Sequence, residues 1–265
     1  IDRHKNFENY KNIKFSMFAK QDINDFSIVE NNTFQNFGSS ESNLRGKIVL
    51  FAHLISKPND VLEVIDKSRT ESSTKYELNE GIVINSKTNL ANLAACVACM
   101  QIMGHNWDEY SQALNNFQGL EHRVELATRL NKVSYINDSK ATNAAASKGA
   151  LQSFKNIFWI LGGIEKCGGL SDIINNLGNV KKAYLIGTAA ESFSEILSNV
   201  NISNEVCGTL RKAIINSTKD ALTLSEKATI LFSPACSSYD QFSNFAERGN
   251  KFKEIVREIK EKHAN

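Results

Sequence analysis

From Lys132 onward, short apolar runs alternate with amphipathic ones, and no other feature of the chain restricts its fold more. VSYIN (133–137), NIFWIL (156–161), KKAYLIG (181–187) and ATILFS (228–233) are strand-like. Helical runs at about 143–153, 171–177, 189–199, 209–224 and 241–262 lie between and after them. Continuously apolar strands separated by helices need cover on both faces, which is the condition of a parallel sheet. Thr188-x-x-Glu191 and Ser238-x-x-Gln241 fit the capping-box pattern, in which each side chain satisfies an orphan backbone N–H. Phe252, Ile255, Val256 and Ile259 share one face of the last helical run, as in a docked terminal helix.

Residues 1–130 have a different texture. A polar, helix-like N-terminal stretch leads into short β-like runs at Lys47–Phe51, Val61–Ile65 and Gly81–Ile84. An apolar helix is expected at about Asn92–Met103 and a second at Asp108–Asn116. The change of pattern places a domain boundary near 130. Because the chain starts with Ile1 inside a helix-like stretch, it reads as cut from something longer. Its 265 residues are long enough to bury a large core. The net charge of +2 gives no strong field toward nucleic acid or anionic lipid, and no apolar run approaches the roughly 18 residues of a membrane helix. Five cysteines at irregular spacings argue against a disulfide framework and fit a reducing cytoplasm. Cys96-x-x-Cys99 lies in an apolar helical run without a second pair or a histidine cluster, so both residues read as small and core-facing.

Ligands of an open parallel sheet bind beyond the carboxyl ends of its strands. The informative loops are therefore Asn137–Asn143 after the first strand, Gly162–Gly169 after the second and Ser233–Asp240 after the last. All three are polar and rich in Gly or Ser. None is a phosphate-cradling P-loop, because Lys166 precedes Gly168 and no Ser or Thr follows it. Lys140 and Lys166 supply loop cations. Thr142 and Ser238 are donors expected at helix N-termini, where the dipole favours anions.

NDSKATN (137–143), LGGIEKCGG (161–169) and SPACSSYDQFSNFAERGNKF (233–252), in this order, resemble the C-terminal domain of the Mur ligases. NFQGLEHRVE (116–125) is similar to the loop before that domain, TNLANLAA (88–95) to a helix of the family's central domain, and IDRHKNFENYKNIK (1–14) to the segment that carries its carbamylated lysine. The resemblance implies an α/β chain: a Rossmann-like, mostly parallel C-terminal domain over 131–265, preceded over 1–130 by the second half of a P-loop-type ATPase domain. It implies ATP-dependent addition of D-glutamate to UDP-N-acetylmuramoyl-L-alanine through an acyl phosphate, in peptidoglycan synthesis, with Mg²⁺ offsetting the charge. Carried over by motif, Lys14 and Lys166 are the catalytic candidates, and Lys14, as a carbamate, supports a magnesium. Asn89, Asn92, Arg123, Asp138 and Lys140 fall on the ATP side. Thr142, Lys166, Ser238, Tyr239 and Phe245 fall on the D-glutamate side.

The departures are equally specific. The sequence contains no GxxGKT/S, so activity of the chain alone is not expected. A remnant, or a subunit working with a separate chain that carries the P-loop half, is the alternative to a ligase. Thr88 stands where the family usually has His, Cys167 where a Gly follows the loop lysine, and Gly169-Leu170 where Asp-Phe is usual. By residue type alone, Lys14 is a solvated lysine, Ser238 a helix cap, Phe245 a core residue, and His122 with Arg123 part of a surface charge cluster.

Overall fold

Leu90, Leu93, Ala94, Val97 and Ala98 recur at helical spacing and form the seam of the first half. A computed structural model describes residues 6–37, 45–54, 61–67, 72–77, 87–117 and 119–264. The chain divides into two compact units, Ile1–Phe117 and Gln118–Asn265. In the first, α1 is Phe7–Phe15, β1 Phe26–Glu30, α2 Asn31–Phe37, β2 Lys47–Leu54, β3 Val61–Asp66, β4 Ser72–Glu77, α3 Lys87–Ile102 and α4 Trp107–Asn115. The sheet order is β1-β2-β3-β4, parallel between β1 and β2 and antiparallel thereafter. The α3 seam covers Val49, Leu62 and Val64 on one face, and Phe34 of α2 packs with Val29 and Leu50 in a separate cluster. Cys96 and Cys99 are exposed rather than core-facing. They fall on the flank of the seam, and Val97 and Ala98 take the buried positions. The strand expected at Gly81–Ile84 lies outside the described residues.

The second unit holds β5 Glu125–Leu130, β6 Val133–Asn137, α5 Ala144–Ser153, β7 Ile157–Gly162, β8 Val180–Ile186, α6 Ala190–Asn199, β9 Asn204–Gly208, α7 Leu210–Leu222, β10 Ala228–Phe232 and α8 Phe245–Ala264. Its sheet runs β5-β6-β10-β7-β8-β9. Only β5 is antiparallel, and it pairs with β6. That pairing draws residues before 130 into the second unit, so the division falls earlier than the change of sequence pattern. Every residue of β7 and β10 is buried, as central parallel strands require. Alternate side chains build two cores. Trp159, Leu161, Leu185 and Leu231 meet α5 and α6 on one face. Phe158, Ile160, Tyr184, Ile230 and Phe232 meet α7 and α8 on the other. The fold is α/β, with a Rossmann-like, mostly parallel second unit.

Three local expectations fail for stated reasons. The run 171–177 contains only a 3-10 turn, Ile174–Asn176, because burying Leu170, Ile173 and Leu177 needs no longer helix. Thr188 does not cap α6; its Oγ1 donates to Gly163 O at 3.0 Å and its N–H to Asp240 Oδ2 at 3.1 Å. Ser238 lies in a turn, its carbonyl accepting from the Gln241 and Phe242 N–H groups, and α8 starts one turn later. There Asn244 Oδ1 accepts from Glu247 N–H at 2.8 Å, and Glu247 Oε2 from Ser243 N–H at 2.8 Å.

Candidate functional site

The chain leaves β6 and β7 toward the face of α5, whereas it leaves β10, which lies between them, toward α8 on the opposite face. Neighbouring strands that feed opposite faces open a crevice at their carboxyl ends, the usual ligand position in such sheets. The loops 138–143, 163–169 and 233–244 border it.

These loops are stitched together by backbone. Ile164 and Ser237 exchange N–H···O bonds of 3.0 Å, and Gly162 N–H donates to Pro234 O at 2.9 Å. Glycine is required at position 163: φ is +131°, and a Cβ would lie 2.2 Å from Ser237 O. Arg248, in the first turns of α8, is 1% exposed. Its Nε donates to Ser139 Oγ at 3.1 Å, and one terminal nitrogen donates to Ser139 O at 2.9 Å and Cys236 O at 3.0 Å. Burial lowers its pKa to about 10, so it is still charged at neutral pH, while burial pushes the Cys236 thiol up to about 12.

A second polar cluster lies beneath the loop after β6. Asp138 is 4% exposed; its Oδ2 accepts from Ser233 Oγ at 2.7 Å and its Oδ1 from Val124 N–H at 3.2 Å. Burial outweighs these bonds and raises its pKa to about 7. Buried Asn137 places Nδ2 2.9 Å from Glu125 Oε2 and 3.1 Å from His122 Nδ1. Burial, then the charge of Lys253, holds the His122 imidazole below the usual histidine range, so it is neutral near pH 7. His122 and Val124 both have positive φ, +63° and +50°. For a β-branched valine that conformation is strained, and such strain concentrates at functional segments. Between them stands half-buried Arg123, whose side chain makes no hydrogen bond or ion pair among the described residues.

The other expected residues fall as follows. Lys140 is exposed and holds Nζ 5.7 Å from the centroid of the Phe245 ring, which also meets His122 edge-on at 6.2 Å. Ser139 Oγ donates to Phe245 O at 2.8 Å. Lys166 is exposed, Thr142 half-buried, Ser238 buried and Tyr239 72% exposed. Thr142 and Lys166 stand on loops of the same sheet edge as Ser238 and Phe245, without a described contact to either. Asp138 has both oxygens engaged inside the protein. In the other unit, Asn92 is exposed on α3 and Asn89 lies within that helix. Lys14 is exposed on α1, its ammonium 5.6 Å from the Tyr10 ring centroid. The described residues contain no group of three or more His, Cys, Asp or Glu able to hold a metal. A carbamate on Lys14 would be a single ligand, so they do not by themselves form a magnesium site.

Arg248 was missed by motif reading, yet its signal is present. It sits four residues before Phe252 and seven before Ile255, on the apolar face of α8, where a charged residue is out of place.

No protein-family model matches the chain. Among curated proteins it is 37% identical over 189 residues to the UDP-N-acetylmuramoylalanine–D-glutamate ligase of Phenylobacterium zucineum, covering 71% of this chain and 40% of that protein. It is 31% identical over 259 residues to the protein of the same name from Rickettsia felis, covering 96% of this chain and 57% of that protein. The chain thus spans about half the length of the curated relatives it matches. Among solved structures, the UDP-N-acetylmuramate-alanine ligase of Thermotoga maritima aligns with a TM-score of 0.54 at 13% identity, over 88% of this chain and 60% of that one. At that identity the likeness speaks to fold.

Proposed function

The chain belongs with the Mur ligases, over the half or so of them that it spans, and from that premise we propose that it is part of an ATP-dependent ligase of peptidoglycan precursors. In this proposal Gln118–Asn265 receives D-glutamate, and the acceptor is UDP-N-acetylmuramoyl-L-alanine. The observation that carries it is the meeting of the three motif loops at one sheet edge, joined through Arg248 and the Ile164–Ser237 pair. The relatives' printed name supports the choice of amino acid.

The chemistry of the loops fits a dicarboxylate amino acid. Lys166 and Lys140 bring exposed ammonium groups to the carboxyl ends of β7 and β6. The loop from Thr142 enters α5, whose N-terminal N–H groups favour an anion. Phe245, held through its carbonyl by Ser139, gives one apolar wall. The proposed role of these residues is to bind the amino acid and aim its amine. Arg123, on its strained turn, is the side chain of this unit best placed to meet a nucleotide phosphate. ATP, when bound with magnesium in the larger enzyme, would supply the γ-phosphoryl group that turns the acceptor's L-alanyl carboxylate into an acyl phosphate, from which the D-glutamate amine would displace phosphate. The compartment proposed is the cytoplasm, and no described helix is long and apolar enough to cross a membrane.

The test is D-glutamate-dependent phosphate release after a P-loop-bearing segment is supplied in cis or in trans. Lys166→Ala should then lower the rate by about 10² or more, the usual effect of removing one preorganised electrostatic contact. Release that ignores D-glutamate, or survives Lys166→Ala undiminished, would refute the assignment.

A further inference from the structure

We propose that Arg248 is the positioning residue of the strand-end crevice: its buried guanidinium ties the loop after β6 to the loop after β10, beneath the loop after β7, and leaves a positive charge that a carboxylate ligand completes. The carboxylate class rests on the D-glutamate assignment above; the role of Arg248 rests on the structure.

The guanidinium bonds two of the loops and lies beneath the third. It holds the loop after β6 through Ser139 Oγ and Ser139 O, and the loop after β10 through Cys236 O. Its remaining terminal nitrogen lies beneath the loop after β7, 3.3 Å from where a Cβ of Gly163 would stand. That nitrogen is buried and has no hydrogen-bond partner. A buried donor without a partner is rare, and a buried charge is ordinarily paired with an opposite one. Arg248 forms no ion pair among the described residues; all its bonds go to neutral oxygens. Asp240, whose charge favours the charged guanidinium, already accepts the Thr188 N–H.

An arginine that served only to fill the core would be better replaced by an apolar side chain. A forked donor does something an apolar residue cannot, because it fixes the spacing of Ser139 and Cys236 at once, while the Ile164–Ser237 pair joins the loop of Gly163 to that of Cys236. Those residues flank the site positions: Ser139 holds Phe245 by its carbonyl, Cys236 precedes Ser238 by two residues, and Gly163 precedes Lys166 by three. The Arg248 charge beneath the loops, with Asp240 and the Phe232 ring acting on it, adds to the exposed charges of Lys140 and Lys166.

The experiment uses the 265-residue chain, titrated with D-glutamate, L-glutamate and glutarate by calorimetry and followed by thermal unfolding. Arg248→Met removes charge and fork together; Arg248→Lys keeps the charge with one contact. D-glutamate affinity should fall tenfold or more in Arg248→Met and recover in part in Arg248→Lys, at a temperature where both are folded. Should Arg248→Met not fold, Ser139→Ala decides, with an expected loss of several-fold in affinity. Equal affinity of folded Arg248→Met and the parent, or of Ser139→Ala where that variant decides, would overturn the inference and leave the D-glutamate assignment standing. Binding of glutarate and both glutamates alike, all dependent on Arg248, would uphold it and refute D-glutamate as the substrate. If no carboxylate binds the parent chain, both fail.

Discussion

Two buried side chains set the character of the loop edge, and each can be tested singly. Gly249 on α8 lies against His122; an added Cβ would stand 2.3 Å from His122 Nδ1. Gly249→Ala must therefore displace the ring or the helix, and about 1–3 kcal/mol of stability should be lost, the usual effect of overpacking. Denaturant unfolding measures this, and a change within experimental error would mean that the turn at 122 yields freely. Asp138 is the second case. Its folded pKa of about 7 lies above the ordinary carboxylate value. The folded protein therefore holds a proton that the unfolded chain releases, and stability falls as pH rises from about 4 through 7. Asp138→Asn removes that dependence. Relative to the parent, the variant should gain about 2.5 kcal/mol between pH 5 and pH 8, read from unfolding curves at both values. A constant difference across that range would show that Asp138 is ionised in the fold.

At the scale of elements, β8 is tied to the edge strand β9 and to α7 by side chains rather than by core packing alone. Lys182 Nζ lies 2.8 Å from Asp220 Oδ2 and 2.9 Å from Glu205 Oε2, and Tyr184 Oη donates to Asp220 Oδ2 at 2.7 Å. Burial, then Asp220, pushes the Tyr184 phenol far above its ordinary pKa, so it remains a donor at any working pH. Tyr184→Phe keeps the ring in the core and deletes one bond. The expected loss is about 0.5–1.5 kcal/mol, with Lys182 still holding Asp220. A much larger loss would mean that the network acts as a unit and that the pairwise account is wrong.

For the whole molecule, the absence of GxxGKT/S from the 265 residues bears directly on turnover. Phosphoryl transfer in P-loop enzymes depends on a loop backbone and lysine that cradle the β- and γ-phosphates. Arg123 and Lys140 cannot replace that cradle. The isolated chain should therefore release no phosphate from ATP in the presence of both proposed substrates, while still binding D-glutamate. Ordinary enzymatic turnover by this chain alone would mean that the phosphates sit elsewhere than proposed.

Some of this was legible in the sequence and some was not. Strands 133–137, 156–161, 181–187 and 228–233 stood out because central parallel strands are apolar on both faces, a signal that needs no partner to be read. The structure places them within a residue or so of those bounds. The edge strands β5 and β9 were missed because ELATRL and NEVCG are half-exposed and polar, so only their neighbours make them strands. The polar loops that carry Lys140, Thr142, Lys166 and Ser238 are marked in the sequence by their residue types and their places after strands. Thr188 and Ser238 fit a capping pattern without capping a helix, because local spacing cannot tell a hydroxyl that bonds its own helix from one that faces another loop. Arg248 shows the limit most clearly. Sequence places it on the buried face of α8, but its three hydrogen bonds reach residues 109 and 12 positions away. Local periodicity and side-chain chemistry are properties of the sequence by itself; which loops share an edge, and which charge lies buried beneath them, depends on strand order, and strand order exists only once distant segments pair.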